Sequence, residues 1–214
     1  MSRFTILLGG DLVPTPAVER QVAGSRVIAA DSGIRHAKAL GLTPELWVGD
    51  FDSVSDDLAA EWPDIPREIF PAGKDKTDGE LAIDEAFSRG ASELVLVGAF
   101  GGARADHAFL HMALAIRLAE KGTPVLLTSG AQEGRAVLNG RTAFDYAPAT
   151  LFSILGFSDL SGLSVEGARW PLHAIEMPFG SSLTISNEVT QNLVVTLKSG
   201  RALLVAHPHL PKDA

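Results

Sequence analysis

Six aspartates sit in short polar turns that each follow an apolar run. They are Asp31 in VIAADSG, Asp50 and Asp52 in WVGDFDS, Asp75 and Asp78 in GKDKTDGE, and Asp106 in GGARADH. Lys74, Lys76 and Arg104 lie among them. Hard oxygen ligands at this density suit Mg²⁺, which is usually held by one or two carboxylates together with substrate phosphates. The interleaved cations suit the phosphates themselves. The pattern points to metal-assisted chemistry on a nucleotide.

Such side chains must be carried by elements that bring them together. Up to about residue 130, short β-rich runs alternate with helical patterns. The strand candidates are Phe4–Leu8, Arg26–Ala30, Glu45–Val48, Glu68–Phe70, Glu93–Val97 and Pro124–Thr128. The helix candidates are Ser32–Leu40, Asp56–Trp62, Asp78–Arg89 and His107–Lys121. Thr77 followed three residues later by Glu80 has the spacing of a capping box. Alternation of strand and helix predicts βαβ units and a mainly parallel sheet. After Gly130 the helical period stops, and short apolar runs recur between Gly, Ser, Pro and Asn, which reads as an antiparallel sandwich or barrel. The fold class is therefore α/β with two domains. Residues 1–130 form a mainly parallel nucleotide-binding domain and residues 131–214 an all-β domain, joined near Ser129–Glu133.

In an open parallel sheet, ligands bind outside the carboxyl ends of the strands. Asp31 follows RVIAA, Asp50 follows LWVG, and the GAFGGARAD loop follows ELVLV. Parallel strands would place Asp31, Asp50 and Asp106 on one edge, although 19 and 56 residues separate them. Asp50 and Asp52, at i and i+2, would share a face in extended backbone. Asp75 and Asp78 bracket a helix start, where free backbone N–H groups also favour a phosphate.

Composition narrows the possibilities. The chain has 214 residues, 46% of them hydrophobic, enough for a proper core. The absence of cysteine excludes disulfides, thiolate zinc sites and cysteine nucleophiles. No secretory signal pattern and no apolar run of membrane-spanning length is visible, so a cytoplasmic protein with no membrane partner is expected. The net charge of −8 is uneven: residues 1–128 hold 19 acidic and 12 basic side chains, and residues 129–214 hold 7 and 6. An acidic first half argues against a nucleic-acid partner and suits a divalent metal or a small organic cation. On net charge alone, plain solubility is the simpler explanation.

Several motifs are missing. Gly73-Lys74 runs into Asp75 and lacks the upstream glycine of a P-loop. No Gly-x-Gly-x-x-Gly follows the first strand, and no Gly-x-Ser-x-Gly elbow occurs. His107 and His111 stand at i and i+4, a zinc-compatible spacing, but their apolar neighbours favour packing for His111.

GDFDS (49–53), KDKTDGELAI (74–83), GGARADH (101–107) and SNE (186–188) together resemble the signature blocks of the thiamine pyrophosphokinase family. AADSGIRHA (29–37) and GARWPLHA (167–174) fit more loosely, in the same order. The resemblance runs from about residue 6 to 205. It implies a homodimeric diphosphokinase in which the thiamine hydroxyl attacks the β-phosphorus of ATP and AMP leaves. It further implies Mg²⁺ held by Asp50, Asp52 and Asp78, with Arg104 and Lys74 clamping the transferred group and either Asp52 or Asp78 accepting the hydroxyl proton. Asp31, Lys74, Asp75, Thr77, Asp106 and His107 fall on the ATP side, and Trp170, Ser186 and Asn187 on the thiamine side.

Two departures from the family pattern stand out. Ala103 is inserted between Gly102 and Arg104, and Ile34-Arg35 replaces the usual Ala-Asn. Without the resemblance, Asp31 could be a helix cap, Thr77 a cap beside the chemical Asp78, Trp170 a core anchor, and Ser186-Asn187 a turn. Two rival functions keep the aspartates: a pyrophosphokinase of another hydroxymethyl heterocycle such as a pterin, and a non-catalytic nucleotide sensor. The SNE and GARWPL blocks favour thiamine over the first. Retention of every aspartate and of Arg104 speaks against the second.

Overall fold

The computed structural model describes residues 2–71, 73 and 75–208. In chain order its elements are β1 Ser2–Leu7, α1 Pro16–Val22, β2 Arg26–Ala30, a 3₁₀ turn at Asp31–Ile34, α2 Arg35–Ala39, β3 Leu46–Gly49, α3 Asp56–Glu61 and β4 Arg67–Ile69. Next come α4 Asp78–Ser88, β5 Ala91–Val97, α5 Ala105–Glu120 and β6 Val125–Thr128. The remainder is all strand: β7 Glu133–Val137, β8 Gly140–Phe144, β9 Leu151–Gly156, β10 Leu160–Ala168, β11 Leu172–Met177, β12 Asn187–Leu197 and β13 Ala202–His207. The chain is a mixed α/β protein of two compact units. Met1–Ala108 with Leu126–Gly130 make one, and Phe109–Val125 with Ala131–Ala214 make the other. The division thus falls inside α5 and β6.

In the first unit the strand order is β4-β3-β2-β1-β5-β6. The pairings β1–β2, β1–β5, β2–β3 and β3–β4 are all parallel. The inner strands are buried on both faces, which is why they read as continuous Val/Ile/Leu/Ala runs. Leu7, Val27, Ala29, Trp47, Val95 and Val97 pack with Val18, Val22, Ile34 and Ala37 in one core. The order reverses between β1 and β5, so the loops leaving their carboxyl ends open a crevice of the kind that binds ligands.

Two details differ from the sequence reading. The helix expected over 32–40 is a 3₁₀ turn followed by the five-residue α2. Gly33 crosses so close to the Leu7 and Leu8 backbone that no Cβ fits there. The helix α1 was not anticipated; Thr15 caps it by accepting from the Val18 N–H, and Pro16 opens it. It buries only Val18 and Val22, too few for a periodic signal. The capping box is present as expected, with Thr77 and Glu80 bonding reciprocally at the start of α4.

In the second unit β7, β13 and β9 pair antiparallel, as do β8, β12, β10 and β11. The long β12 changes partners along its length: Asn187 and Glu188 lie against β9, whereas Leu193–Leu197 lie against β8. Phe144, Phe152, Ile154, Leu163, Val195 and Leu204 are among the side chains that fill its core.

Candidate active site

The carboxyl ends of β2 and β3 carry the first three aspartates. Oxygens of Asp31, Asp50 and Asp52 lie within 4.8 Å of one another, the one such acidic or histidine group among the described residues. Several neighbours fix Asp31. The indole N–H of the fully buried Trp47 donates to the Asp31 carbonyl at 2.8 Å, and the Ser53 hydroxyl donates to its carboxylate. Gly49 lets β3 approach, since a Cβ there would sit 3.3 Å from the Asp31 Cα. Asp31 is the first residue of the 3₁₀ turn, and Ala30 stands at its N-cap.

Backbone strain concentrates at this point. Asp31 (φ 46°) and Phe51 (φ 64°) are both in the left-handed region, which non-glycine residues adopt at a cost when the surroundings enforce it. Phe51 is held edge-on against Trp47 at 5.0 Å, and the Arg67 guanidinium covers both rings. The turn at Phe51 leaves Asp50 and Asp52 on the same side, with the Asp52 N–H donating to Asp50 Oδ1 at 3.3 Å.

The electrostatics are those of a cation site. Repulsion from Asp50, then from Asp31 and Asp78, pushes the Asp52 carboxyl above the usual range. One oxygen of Asp31, Oδ1, is buried with no hydrogen-bond partner. A buried carboxylate oxygen without a donor is costly unless a cation meets it. The donor set is all hard oxygen, so the residues fit Mg²⁺. Asp78 is not one of the three clustered groups, but stands close enough to act on Asp52.

Arg104, at the end of the loop between β5 and α5, pairs with Asp106 in the first turn of α5, through Nε at 3.0 Å and Nη2 at 2.7 Å. This two-point contact holds the Asp106 carboxyl far below the usual range. Both side chains are solvent-exposed, so the pair adds little to stability. His107 follows, with its backbone N–H bonded to the Arg104 carbonyl at 3.2 Å. Asp75 is exposed ahead of α4, and Lys74 lies outside the described residues.

The remaining candidates are in the second unit. Asn187 is buried, and its amide spans the turn between β10 and β11: Oδ1 accepts from the Trp170 N–H at 3.1 Å and Nδ2 donates to the Trp170 carbonyl at 2.8 Å. The Trp170 ring is left 54% exposed beneath the Arg169 guanidinium. Trp170 is thus no core anchor, and Asn187 shapes the turn that presents it. Ser186 is exposed and at φ 61°, and its backbone N–H donates to the Ser153 hydroxyl oxygen at 3.0 Å.

Sequence reasoning missed the residues that hold the first loop, Gly9-Gly10-Asp11. Arg35 donates to the carbonyls of Gly9 and Gly10, and His36 Nε2 donates to Gly10 at 2.9 Å. Burial lowers the His36 pKa. Asp11 reaches the glycine loop before Arg104. Asp11 follows an apolar run and two glycines, much as the other aspartates end such runs; Arg35 stood out only as a departure from the family pattern, and its contact to this loop had no local signal.

Residues 22–127 match the family described as thiamin pyrophosphokinase, catalytic domain, and residues 145–204 match thiamin pyrophosphokinase, vitamin B1 binding domain. The chain belongs to the thiamin pyrophosphokinase family. It is 27% identical over 166 residues to thiamine pyrophosphokinase of Bacillus subtilis (strain 168), covering 76% of this chain and 77% of that one. The crystal structure of thiamine pyrophosphokinase from Bacillus subtilis superposes with a TM-score of 0.84 at 23% identity, covering 98% and 100% of the two chains, which establishes the common fold. That of thiamin pyrophosphokinase from Geobacillus thermodenitrificans gives 0.78 at 26% identity, with 98% of each chain covered. No helix among the described residues is long and apolar enough to cross a membrane.

Proposed function

We propose that this chain transfers the diphosphate of ATP to the hydroxyl of thiamine, yielding thiamine diphosphate and AMP. The observation that carries this reading is the ordered match to both a thiamin pyrophosphokinase catalytic domain and its vitamin B1 binding domain. The second of these supports thiamine over a pterin. In the reaction the thiamine oxygen bonds to the β-phosphorus, and the bond from that phosphorus to the α,β-bridging oxygen breaks. AMP departs with that oxygen.

Asp31, Asp50 and Asp52, with Asp78 beside them, would hold Mg²⁺, which when bound neutralises phosphate oxygens and offsets the repulsion among these carboxylates. Phosphoryl transfer needs positioning and charge stabilisation more than covalent help. Arg104 and Lys74 supply positive charge to the transferred group. Either Asp52 or Asp78 accepts the hydroxyl proton. Asp75, Thr77, Asp106 and His107 line the ATP side.

Residues 1–130 serve as the ATP- and Mg²⁺-binding catalytic domain. Residues 131–214, read as a β-sandwich, bind thiamine and form a homodimer. Trp170 and Ser186 face thiamine, and Asn187 fixes the turn that carries Trp170. The enzyme works in the cytoplasm. The deciding assay incubates the protein with ATP, Mg²⁺ and thiamine. One AMP per thiamine diphosphate is expected; ADP as product, or turnover with a hydroxymethylpterin in place of thiamine, would overturn the reading.

A further inference from the structure

The glycine loop ahead of Arg104 is clasped to the loop after β1. The Gly10 N–H donates to the Gly98 carbonyl at 3.0 Å, the Asp11 N–H to the Phe100 carbonyl at 2.9 Å, and the Gly102 N–H to Asp11 Oδ2 at 2.9 Å. Gly101 and Gly102 are both left-handed, at φ 67° and 79°. A Cβ on Gly101 would run into the Asp11 carboxylate, and one on Gly102 would sit 3.2 Å from the Gly10 Cα. The two loops leave the strands that flank the reversal of strand order. Arg35 and His36 brace the first loop from behind. Asp11 brings a side chain into the clasp itself, accepting from Gly102. The extra Ala103 lies just beyond it and is exposed, so the insertion is absorbed after the fixed point and before Arg104.

We propose that Asp11 is a positioning residue that sets the glycine loop, and through it Arg104, for phosphate binding; this rests on the diphosphokinase reading above. Its carboxylate holds the loop in a left-handed path that the backbone alone does not enforce. An asparagine keeps the acceptor and an alanine removes it.

The test uses the full chain with Asp11→Ala, Asp11→Asn, Arg104→Ala and the double variant Asp11→Ala/Arg104→Ala. Asp11→Ala should lower kcat/KM for ATP roughly five- to tenfold, the size of one lost hydrogen bond, with KM for thiamine unchanged. Asp11→Asn should stay within about twofold of the parent because its acceptor remains. In the Arg104→Ala background, Asp11→Ala should add almost nothing, since residues acting as one unit are not additive. Hydrogen exchange read on peptides covering 98–104 should speed up in Asp11→Ala and not in Asp11→Asn, whatever substrate the enzyme takes.

Equal losses in Asp11→Ala and Asp11→Asn would make charge the operative property and overturn the proposal. So would a full loss on top of Arg104→Ala, a lowered Tm with unchanged kinetics, or unchanged exchange. Failure of the parent chain to release AMP would overturn the functional reading, while the exchange comparison would still decide the clasp.

Discussion

Asp50 and Asp52 flank a phenylalanine held in left-handed backbone, and their charges meet that of Asp31 at the sheet edge. Replacing Asp50 or Asp78 by asparagine keeps the side-chain size and removes an anion. AMP release should fall by ~10²–10³, as for loss of one electrostatic stabiliser, with circular dichroism unchanged. EDTA should abolish turnover in the parent, and Mg²⁺ should restore it. Asp52 makes an opposite prediction for stability. Its folded-state pKa is raised, so the native state binds its proton more tightly than the unfolded chain does. The stabilising contribution is present in acid and is lost as pH rises through the folded pKa. At neutral pH the ionised group is therefore a burden. Asp52→Asn should raise the Tm of the metal-free protein, and Mg²⁺ should raise the Tm of the parent more than that of the variant. These carboxylates were legible because each ends an apolar run, a pattern that needs no three-dimensional information. Arg35, Ser53 and Trp47 were not, since their roles are single hydrogen bonds to distant backbone or side chains.

The loops draw their geometry from neighbours on other elements. His36, on α2, donates from Nε2 to the Gly10 carbonyl, and burial lowers its pKa below the usual histidine value. A histidine with a lowered pKa leaves the unfolded chain as the better proton binder. Stability should therefore be flat above about pH 6.5 and decline as pH falls through that value. Urea unfolding between pH 5 and 8 should show the decline, and His36→Gln should flatten it in part. His207, also lowered by burial, retains the rest. In the second unit, Asn187→Ala strips the Trp170 turn of both its side-chain hydrogen bonds. An unpaired buried group costs ~1–3 kcal/mol, so KM for thiamine should rise several-fold while KM for ATP stays fixed. Element boundaries in the parallel sheet were readable from apolar runs. The 3₁₀ turn at Asp31–Ile34 was not, because it opens on a left-handed Asp31 that no local propensity signals.

For the whole molecule, the change from helical to strand periodicity near residue 130 announced two kinds of structure. What it hid was the exchange of partners along β12, because a long run of Val, Thr and Leu reads the same in one sheet or two. The homodimer proposal has a direct check. If one subunit lends its β-rich unit to the neighbour's site, mixing Trp170→Ala chains with Asp50→Asn chains should recover part of the activity. Activity should peak at equal proportions after mild unfolding and refolding. Heterodimers that form and stay inactive at every ratio would place both contributions within one chain.

The left-handed backbone at Asp31 has a consequence for anyone selecting sturdier variants. Glycine adopts φ near 46° without steric penalty, and Asp31→Gly also removes a buried oxygen that lacks a partner. Heat selection without an activity screen should therefore enrich glycine at position 31, giving a protein with a higher Tm and no AMP release. On the proposed role of Asp31, a library scored on both traits should recover aspartate there.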